Sequence, residues 1–129
     1  MNAALEDAQR LLRRARADLK ALRHMGDPES FDDNIYGFHA QQAAEKALKA
    51  WLACLGEDYP LRHDLGELLA ALAAAGQDIT ALWTLTDLTS FAVQLRYDEI
   101  ESGPPLDRQS MEAEIGALVA QVERLVQPA

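Results

Sequence analysis

Apolar residues recur along this chain at alternating steps of three and four, which is the spacing of one buried face of an α-helix. The first such stretch runs from about Ala3 to Met25 and ends at the breaker cluster Gly26-Asp27-Pro28. Its core-facing positions are Leu5, Ala8, Leu12, Ala15, Leu19 and Leu22. Because no stretch of useful length alternates with a period of two, the pattern predicts helices and no sheet.

Two more helices are bounded by capping residues. Ser30 or Asp32 can cap the second helix, which is expected to stop near Gly56. Asp64 is the expected N-cap of a third, short helix that ends at Gly76. The apolar face of the second helix consists of Ala40, Ala44, Ala47, Leu48, Trp51 and Leu55.

A fourth and a fifth helix are predicted in the C-terminal half. The fourth begins near Asp78 and gives way to a polar segment with Pro104-Pro105, which cannot be helical throughout; the fifth starts at about Asp107. Their core-facing positions are Leu82, Leu85, Leu88, Ala92 and Leu95 in the fourth helix, and Met111, Ile115, Leu118, Val122 and Leu125 in the fifth. We therefore expect a single domain, residues 1–129, with an all-α fold built as an antiparallel helical bundle.

Composition adds several exclusions to this picture. No apolar run approaches the roughly 18 residues of a membrane span, and the acidic start of the chain does not resemble a signal peptide, so we expect a cytoplasmic protein. The single cysteine, Cys54, excludes an internal disulfide and is expected to be a buried thiol. Without an HExxH, a CxxC or a phosphate-binding glycine loop, neither a metal nor a cofactor is predicted.

Charge is distributed unevenly along the chain. The net charge of −9 argues against a general nucleic-acid binder. Residues 1–25, however, hold six basic and three acidic side chains, a net +3 that leaves −12 for the remainder. Arg13, Arg16, Lys20 and Arg23 lie on one stripe of the first helix. This stripe is either a solvated helix face or a ridge that docks a phosphate or a partner.

Polar side chains that could do chemistry fall into three groups. The apolar second helix carries a polar stripe of His39, Gln42, Lys46 and Lys49, with Glu45 beside it. Arg62-His63-Asp64 stands at the start of the third helix, and Arg96-Tyr97-Asp98 at the end of the fourth. Each group also has a structural explanation: an interior histidine, support of a cap, and an arginine favoured by the helix dipole.

Three segments in this order, FHAQQAAEKALKAWL, RHDLGELL and FAVQLRYDE, make the chain resemble the HEPN domains of prokaryotes over nearly its whole length. The resemblance implies a bundle of four main up-and-down helices with an additional C-terminal helix, usually paired as a two-fold homodimer. It also implies a site in the cleft between the protomers. Members are often encoded beside a minimal nucleotidyltransferase, in modules that look like toxin and antitoxin.

Active members of the family are metal-independent endoribonucleases, whose motif is an arginine, a polar residue and a histidine four to six positions after the arginine. Arg96 matches the arginine, but Tyr97 follows it and no histidine appears through Gly103, so the chain resembles the "RY" type. Metal-free RNA cleavage needs a base for the 2′-hydroxyl proton and a cation for the phosphorane charge. Arg96 could supply the cation, whereas the base would have to be His39 or His63.

Three hypotheses follow. In the first, the protein is a homodimer that partners a nucleotidyltransferase and holds a nucleotide or an RNA phosphate. The residues expected to bind it are His39, Gln42, Lys46, Arg96, Tyr97 and Asp98. In the second, it is an endoribonuclease toxin with a rearranged catalytic site of Arg96 with His39 or His63. In the third, it is a non-catalytic helical dimer whose polar stripe only sets the register of the subunits. The first two require His39 and Arg96 to share one solvent-reachable pocket.

Overall fold

The computed structural model describes residues 3–89 and 107–126, which form helices connected by loops. The elements are α1 (Ala3–Arg23), α2 (Asp33–Cys54), α3 (Leu65–Ala74), the 3₁₀ helix η1 (Thr80–Leu88) and α4 (Arg108–Val126). These two stretches contain no strand, so the predicted all-α fold is confirmed. None of the helices in them is long and apolar enough to cross a membrane.

The helix ends lie where the capping residues predict them. Asp32 is the N-cap of α2 and accepts a hydrogen bond from the backbone N of Ile35 at 2.9 Å. Asp64 caps α3 in the same way, with the backbone N of Gly66 2.9 Å from its Oδ1. The chain leaves α3 through Gly76, whose φ of +85° belongs to the left-handed region that a glycine adopts without strain.

The fourth predicted helix is present over Thr80–Leu88, but there it is a 3₁₀ helix and not an α-helix. Leu85 and Leu88 are buried as predicted, Leu82 is partly buried, and Ile79 joins them. These four residues follow one another at steps of three, which matches the three residues per turn of a 3₁₀ helix rather than the mixed steps of an α-helix. Ala92 and Leu95, predicted to continue the stripe, lie outside the described residues.

Helix α2 lies at the centre of the core and contacts α1, α3, η1 and α4. Its alanines and Trp51 are buried among the leucines of the neighbouring helices. Two positions predicted to face the core do not: Leu55 lies beyond the end of α2 and is 39% exposed, and Leu125 is 44% exposed. Val119 and Val126 are buried on α4 instead. Cys54 is only partly buried, and its thiol donates to the backbone O of Leu125 at 3.2 Å.

Side-chain contacts show how the helices run relative to one another. Asp18 on α1 meets His39 near the start of α2, and Asp7 meets Tyr59 beyond the end of α2, so α1 and α2 are antiparallel. The loop of residues 55–64 then returns the chain along α2, and α3 begins beside Glu45. Helix α4 is antiparallel to α1, because Arg16 pairs with Glu123 late in α4 and Arg23 lies 3.6 Å from Glu112 near its beginning.

Arg108, the first residue of α4, joins that helix to the α1–α2 loop. Its guanidinium is largely buried and donates to the backbone O atoms of Met25 and Phe31, at 2.7 and 2.6 Å. It also lies 2.9 Å from Asp33 and 4.7 Å from the centre of the Tyr36 ring. Burial raises the pKa of Tyr36 to about 12, and its hydroxyl donates to the backbone O of Arg108.

Candidate functional site

The polar stripe of α2 surrounds a buried carboxylate. Glu45 has no solvent exposure, and its Oε1 accepts hydrogen bonds from Gln41 at 2.8 Å and from the Nδ1 of His63 at 2.9 Å. The other oxygen, Oε2, accepts from Lys49 at 3.1 Å and lies 3.4 Å from the Nζ of Lys46. Every oxygen of this buried group is therefore satisfied, as burial of a charge requires.

Helical spacing accounts for three members of this group, which we call the Glu45 network (Gln41, Gln42, Glu45, Lys46, Lys49 and His63). Gln41, Glu45 and Lys49 are four residues apart and project from one side of α2. A glutamate placed N-terminal to a lysine at this spacing is the favourable orientation of such a pair. The Glu45 network therefore begins as a local property of the α2 sequence.

His63 reaches the network from another part of the chain. The loop after α2 brings it alongside, and the side chain of Gln41 donates to the backbone O of His63 at 3.2 Å. Asp64, the next residue, is tied to the first turn of α3 by its cap. The position of the His63 imidazole is thus fixed by the Asp64 cap of α3, which follows it in the chain, and by its contacts with Gln41 and Glu45 on α2.

Opposing effects set the ionisation of Glu45. Burial raises its pKa, whereas hydrogen bonds from Gln41, His63 and Lys49 and the charge of Lys46 lower it. The net result is a pKa below the ordinary value of 4.5, so Glu45 is ionised at neutral pH.

An ionised Glu45 also fixes the tautomer of His63. A carboxylate can only accept hydrogen bonds, so the Nδ1 of His63 must carry the proton that points at Glu45. The Nε2 of a neutral His63 is then left with a lone pair, and the side chain is 58% exposed. This arrangement presents an oriented imidazole nitrogen that can accept a proton or contact an anion.

Two residues of the predicted stripe, Gln42 and Lys46, extend the network. Gln42 donates to the side-chain O of Gln41 at 2.7 Å and accepts from the Nζ of Lys46 at 3.1 Å. The side chain of Lys46 is 16% exposed. The structure thus brings Gln42, Lys46 and His63 into one hydrogen-bonded cluster.

His39 belongs to a separate contact. Its Nδ1 lies 3.1 Å from the Oδ1 of Asp18 on α1, and its ring meets the ring of Phe38 edge-on. The side chain is 36% exposed. No hydrogen bond between described residues links His39 to the Glu45 network, although both lie on the polar side of α2.

Lys49, the most buried cation of the Glu45 network, contacts Tyr59, which in turn contacts Asp7. The Nζ of Lys49 lies 5.6 Å from the centre of the Tyr59 ring, and the Tyr59 hydroxyl donates to Asp7 at 2.7 Å. This hydrogen bond is the main reason why the pKa of Asp7 lies below its usual range, and Arg10 adds to the effect. Lys49 is only 7% exposed, so its ammonium is used inside the fold.

Arg96, Tyr97 and Asp98 lie outside the described residues, so a pocket shared by His39 and Arg96 stays a prediction. Arg62 is largely exposed and contacts Glu67 at 3.3 Å. Within residues 3–89 and 107–126, no cluster of three or more His, Cys, Asp or Glu side chains could hold a metal ion.

Sequence reasoning missed Gln41 and underrated Glu45. The signal available was their spacing with Lys49, three polar residues at steps of four in a helix that is otherwise rich in alanine and leucine. The contact with His63 has no local signal, because it joins positions that are 18 residues apart.

One comparison with known proteins identifies a family. A family model described as HEPN domain matches residues 8–128. Searches of curated proteins and of solved structures found no match to this chain. The family match covers nearly the whole chain, and the all-helical fold of the described residues agrees with it. The chain therefore belongs to the HEPN family.

Proposed function

We propose that this HEPN-domain protein acts in the cytoplasm as a homodimeric partner of a minimal nucleotidyltransferase, in a module of the toxin–antitoxin kind. Its task there is to hold a nucleotide or an RNA phosphate at the Glu45 network. Membership of the HEPN family supports the module, and the charge of the network supports the ligand.

The observation that carries the proposal is a surplus of positive charge around one buried carboxylate. Glu45 contributes −1, whereas Lys46 and Lys49 contribute +2, so the network holds at least +1 in a chain whose net charge is −9. Lys46 and His63 both lie against this carboxylate and both have exposed surface. A phosphate beside them would neutralise the surplus and receive hydrogen bonds from side chains that are already oriented.

Other predicted residues would complete the site in the assembled dimer. His39 and Gln42 lie along the same side of α2 as Lys46. The guanidinium of Arg96 offers a planar fork suited to a phosphate, and Tyr97 offers a ring on which a base could stack. Asp98 would then contact a sugar hydroxyl. These three roles are part of the proposal.

Ligand binding can be tested by calorimetric titration of the purified protein with AMP, ATP and a short single-stranded RNA. We expect Lys46→Gln and His63→Gln each to weaken binding about tenfold, since a hydrogen bond to a charged group contributes about 1.5–3 kcal/mol. Arg62→Gln is the matched control, because Arg62 is a neighbouring, exposed cation outside the network. Equal affinity in all four proteins, or no binding of any ligand, would refute the site.

The partnership needs an experiment of its own. The tagged protein is expressed at its native level in its host and captured under mild conditions, and the co-purified proteins are identified by mass spectrometry. We expect a small nucleotidyltransferase in stoichiometric amount. Recovery of the protein alone as a monomer or homodimer would contradict the module while leaving the ligand site to the titration.

The oriented imidazole of His63 favours a second candidate function, that of a metal-independent endoribonuclease. Its Nε2 would take the proton of an RNA 2′-hydroxyl, the 2′-oxygen would attack the adjacent phosphorus, and the 5′-oxygen would leave and take up a proton from water. The products are a 2′,3′-cyclic phosphate and a 5′-hydroxyl end. Arg96 would stabilise the phosphorane charge, and His39, oriented by Asp18, is the other candidate for the base.

This activity predicts toxicity that depends on Arg96. Expression without the neighbouring gene should arrest growth and leave RNA fragments that end in cyclic phosphate, and both effects should disappear in Arg96→Ala and in His63→Ala. If the Arg96→Ala protein were as toxic as the parent, or if neither were toxic, the enzymatic function would be ruled out.

A further inference from the structure

A groove between α1 and α4 lies outside the Glu45 network. It has a volume of about 480 Å³. Its floor is formed by Leu19 and Val119, with the partly exposed Gly116 and Ala120 beside them, so no large side chain fills it from below. The groove extends over two helical turns of α1, which is about 10 Å.

One wall of the groove is basic. Arg16, Lys20 and Arg23 line it at steps of four and three. Arg16 donates to Glu123 at 2.8 Å, and Arg23 lies 3.6 Å from Glu112. Lys20, between them, has no ion pair or hydrogen bond with any described residue. Among the described residues, therefore, nothing neutralises the cation at the centre of the basic wall, which lies above an apolar floor.

We infer that this groove docks an amphipathic, acidic helix of a partner protein. An apolar floor under a row of charges is the form of a surface that receives a helix, in which side chains at i, i+3 or i+4, and i+7 make the contacts. Carboxylates at those positions on the incoming helix would match Arg16, Lys20 and Arg23, which share that spacing. Gly116 and Ala120 leave room for an apolar side chain of the helix beside them.

The charges of the chain favour this occupant over a nucleic acid. A polyanion longer than two helical turns would extend beyond the basic wall, onto a protein whose residues after 25 carry −12. A short acidic helix can bind within the groove alone. Its apolar side chains can also pack on the apolar floor, whereas a phosphate gains nothing from contact with an apolar surface.

The inference can be tested by nuclear magnetic resonance with defined probes. The isotopically labelled full chain is titrated with a covalently stapled helical peptide of about 15 residues, long enough for two turns of contact. The peptide carries glutamates at i, i+4 and i+7 beside leucine and alanine. A second peptide replaces the glutamates with lysines, and a single-stranded oligouridine of similar length serves as the nucleic-acid probe.

We expect the glutamate peptide to shift the amide signals of Leu19, Lys20 and Ala120, and Lys20→Glu to weaken its binding at least about tenfold, because like charges face each other across the groove. Arg14→Glu is the matched control, an exposed α1 residue outside the groove. Thermal unfolding should show both variants folded. The lysine peptide should leave these signals unchanged.

Several outcomes would overturn the inference. These are the absence of shifts with the glutamate peptide, shifts confined to other surfaces, and equal weakening by Arg14→Glu. Shifts at the groove with the oligouridine alone would assign it to nucleic acid, and shifts on raising the concentration of the free chain would assign it to a second copy. Either would replace the acidic helix as occupant.

Discussion

Replacement of Glu45 by glutamine tests whether the Glu45 network contributes to stability through charge. Glutamine keeps the shape of the side chain, but both oxygens of Glu45 accept from donors, so the amide nitrogen would face a donor in either orientation. The Nζ of Lys49, 3.1 Å from Oε2 and only 7% exposed, would also lose its counter-charge. Removal of one partner of a buried ion pair costs about 3–5 kcal/mol. Lys46 and His63 retain access to water, so we expect the low end of that range, about 3 kcal/mol.

Such a loss is large against the ~5–15 kcal/mol that holds a typical domain folded. The free energy of unfolding is measured by urea titration followed by circular dichroism, with the slope against urea checked for constancy. Glu67→Gln is the control, because Glu67 pairs with Arg62 at the surface, and such a pair contributes at most about 1 kcal/mol.

A double variant separates charge from shape. Glu45→Gln with Lys49→Met removes the unpaired ammonium as well, so it should recover part of the stability lost in Glu45→Gln. The reasoning fails if Glu45→Gln loses less than about 1 kcal/mol, the range of an exposed pair, or if it loses no more than Glu67→Gln.

Three further predictions concern pH, Arg108 and the glycines. Because the folded pKa of Glu45 lies below 4.5, the unfolded chain takes up the proton first on acidification. The stability difference between wild type and Glu45→Gln should thus be complete above pH 4.5 and shrink as the pH falls through the folded pKa, as urea titrations across this range will show. Arg108→Lys should cost about 2–3 kcal/mol in the same assay, since an ammonium cannot reproduce the fork that holds two backbone carbonyls, while exposed Arg124→Lys should be neutral. Gly76→Ala should lower stability by about 1 kcal/mol at a φ of +85°, whereas Gly116→Ala, within α4 and with open space around it, should raise it by roughly 0.5–1 kcal/mol; a loss in both would contradict the conformational argument.

Local rules accounted for most of the helices. Asp32, Asp64 and Gly76 act at helix ends through backbone atoms two or three residues away, so their role can be inferred from a few neighbouring letters. The 3₁₀ geometry of η1 was available in principle from the steps of three between Ile79 and Leu88. Steps of three also occur in the α-helical pattern, however, so four apolar residues at that spacing do not distinguish a 3₁₀ helix from an α-helix.

Arg108 shows what local rules leave out. Its partners are the backbone carbonyls of Met25 and Phe31, which lie 83 and 77 residues earlier in the chain. Backbone carbonyls are present at every position, so no residue type marks those two as acceptors. An arginine at the start of a helix is moreover unfavourable for the helix dipole, and only the tertiary contact explains it.

The candidate site divides in the same way. Gln42, Glu45, Lys46 and Lys49 could be grouped from their spacing on one helix. The partners of the two histidines could not, since His63 meets Glu45 across a loop and His39 meets Asp18 on another helix. Both histidines proved to be oriented by a carboxylate, and this feature came from the tertiary structure alone.

The small side chains of α2 have a mechanical consequence. Between Ala40 and Ala47 the apolar residues that α2 buries are all alanines, which give the neighbouring helices few projections to interlock with, so apolar packing in this part of α2 resists sliding or turning only weakly. A shift by one residue would turn the helix by about 100° and move it by about 1.5 Å, carrying the carboxylate of Glu45 away from His63 and His39 away from Asp18. The contacts of Glu45 with His63 and of His39 with Asp18 therefore select one position and one rotation of α2 in the bundle. Engineered substitutions of its alanines should be tolerated more readily than the insertion or deletion of a single residue between His39 and Glu45.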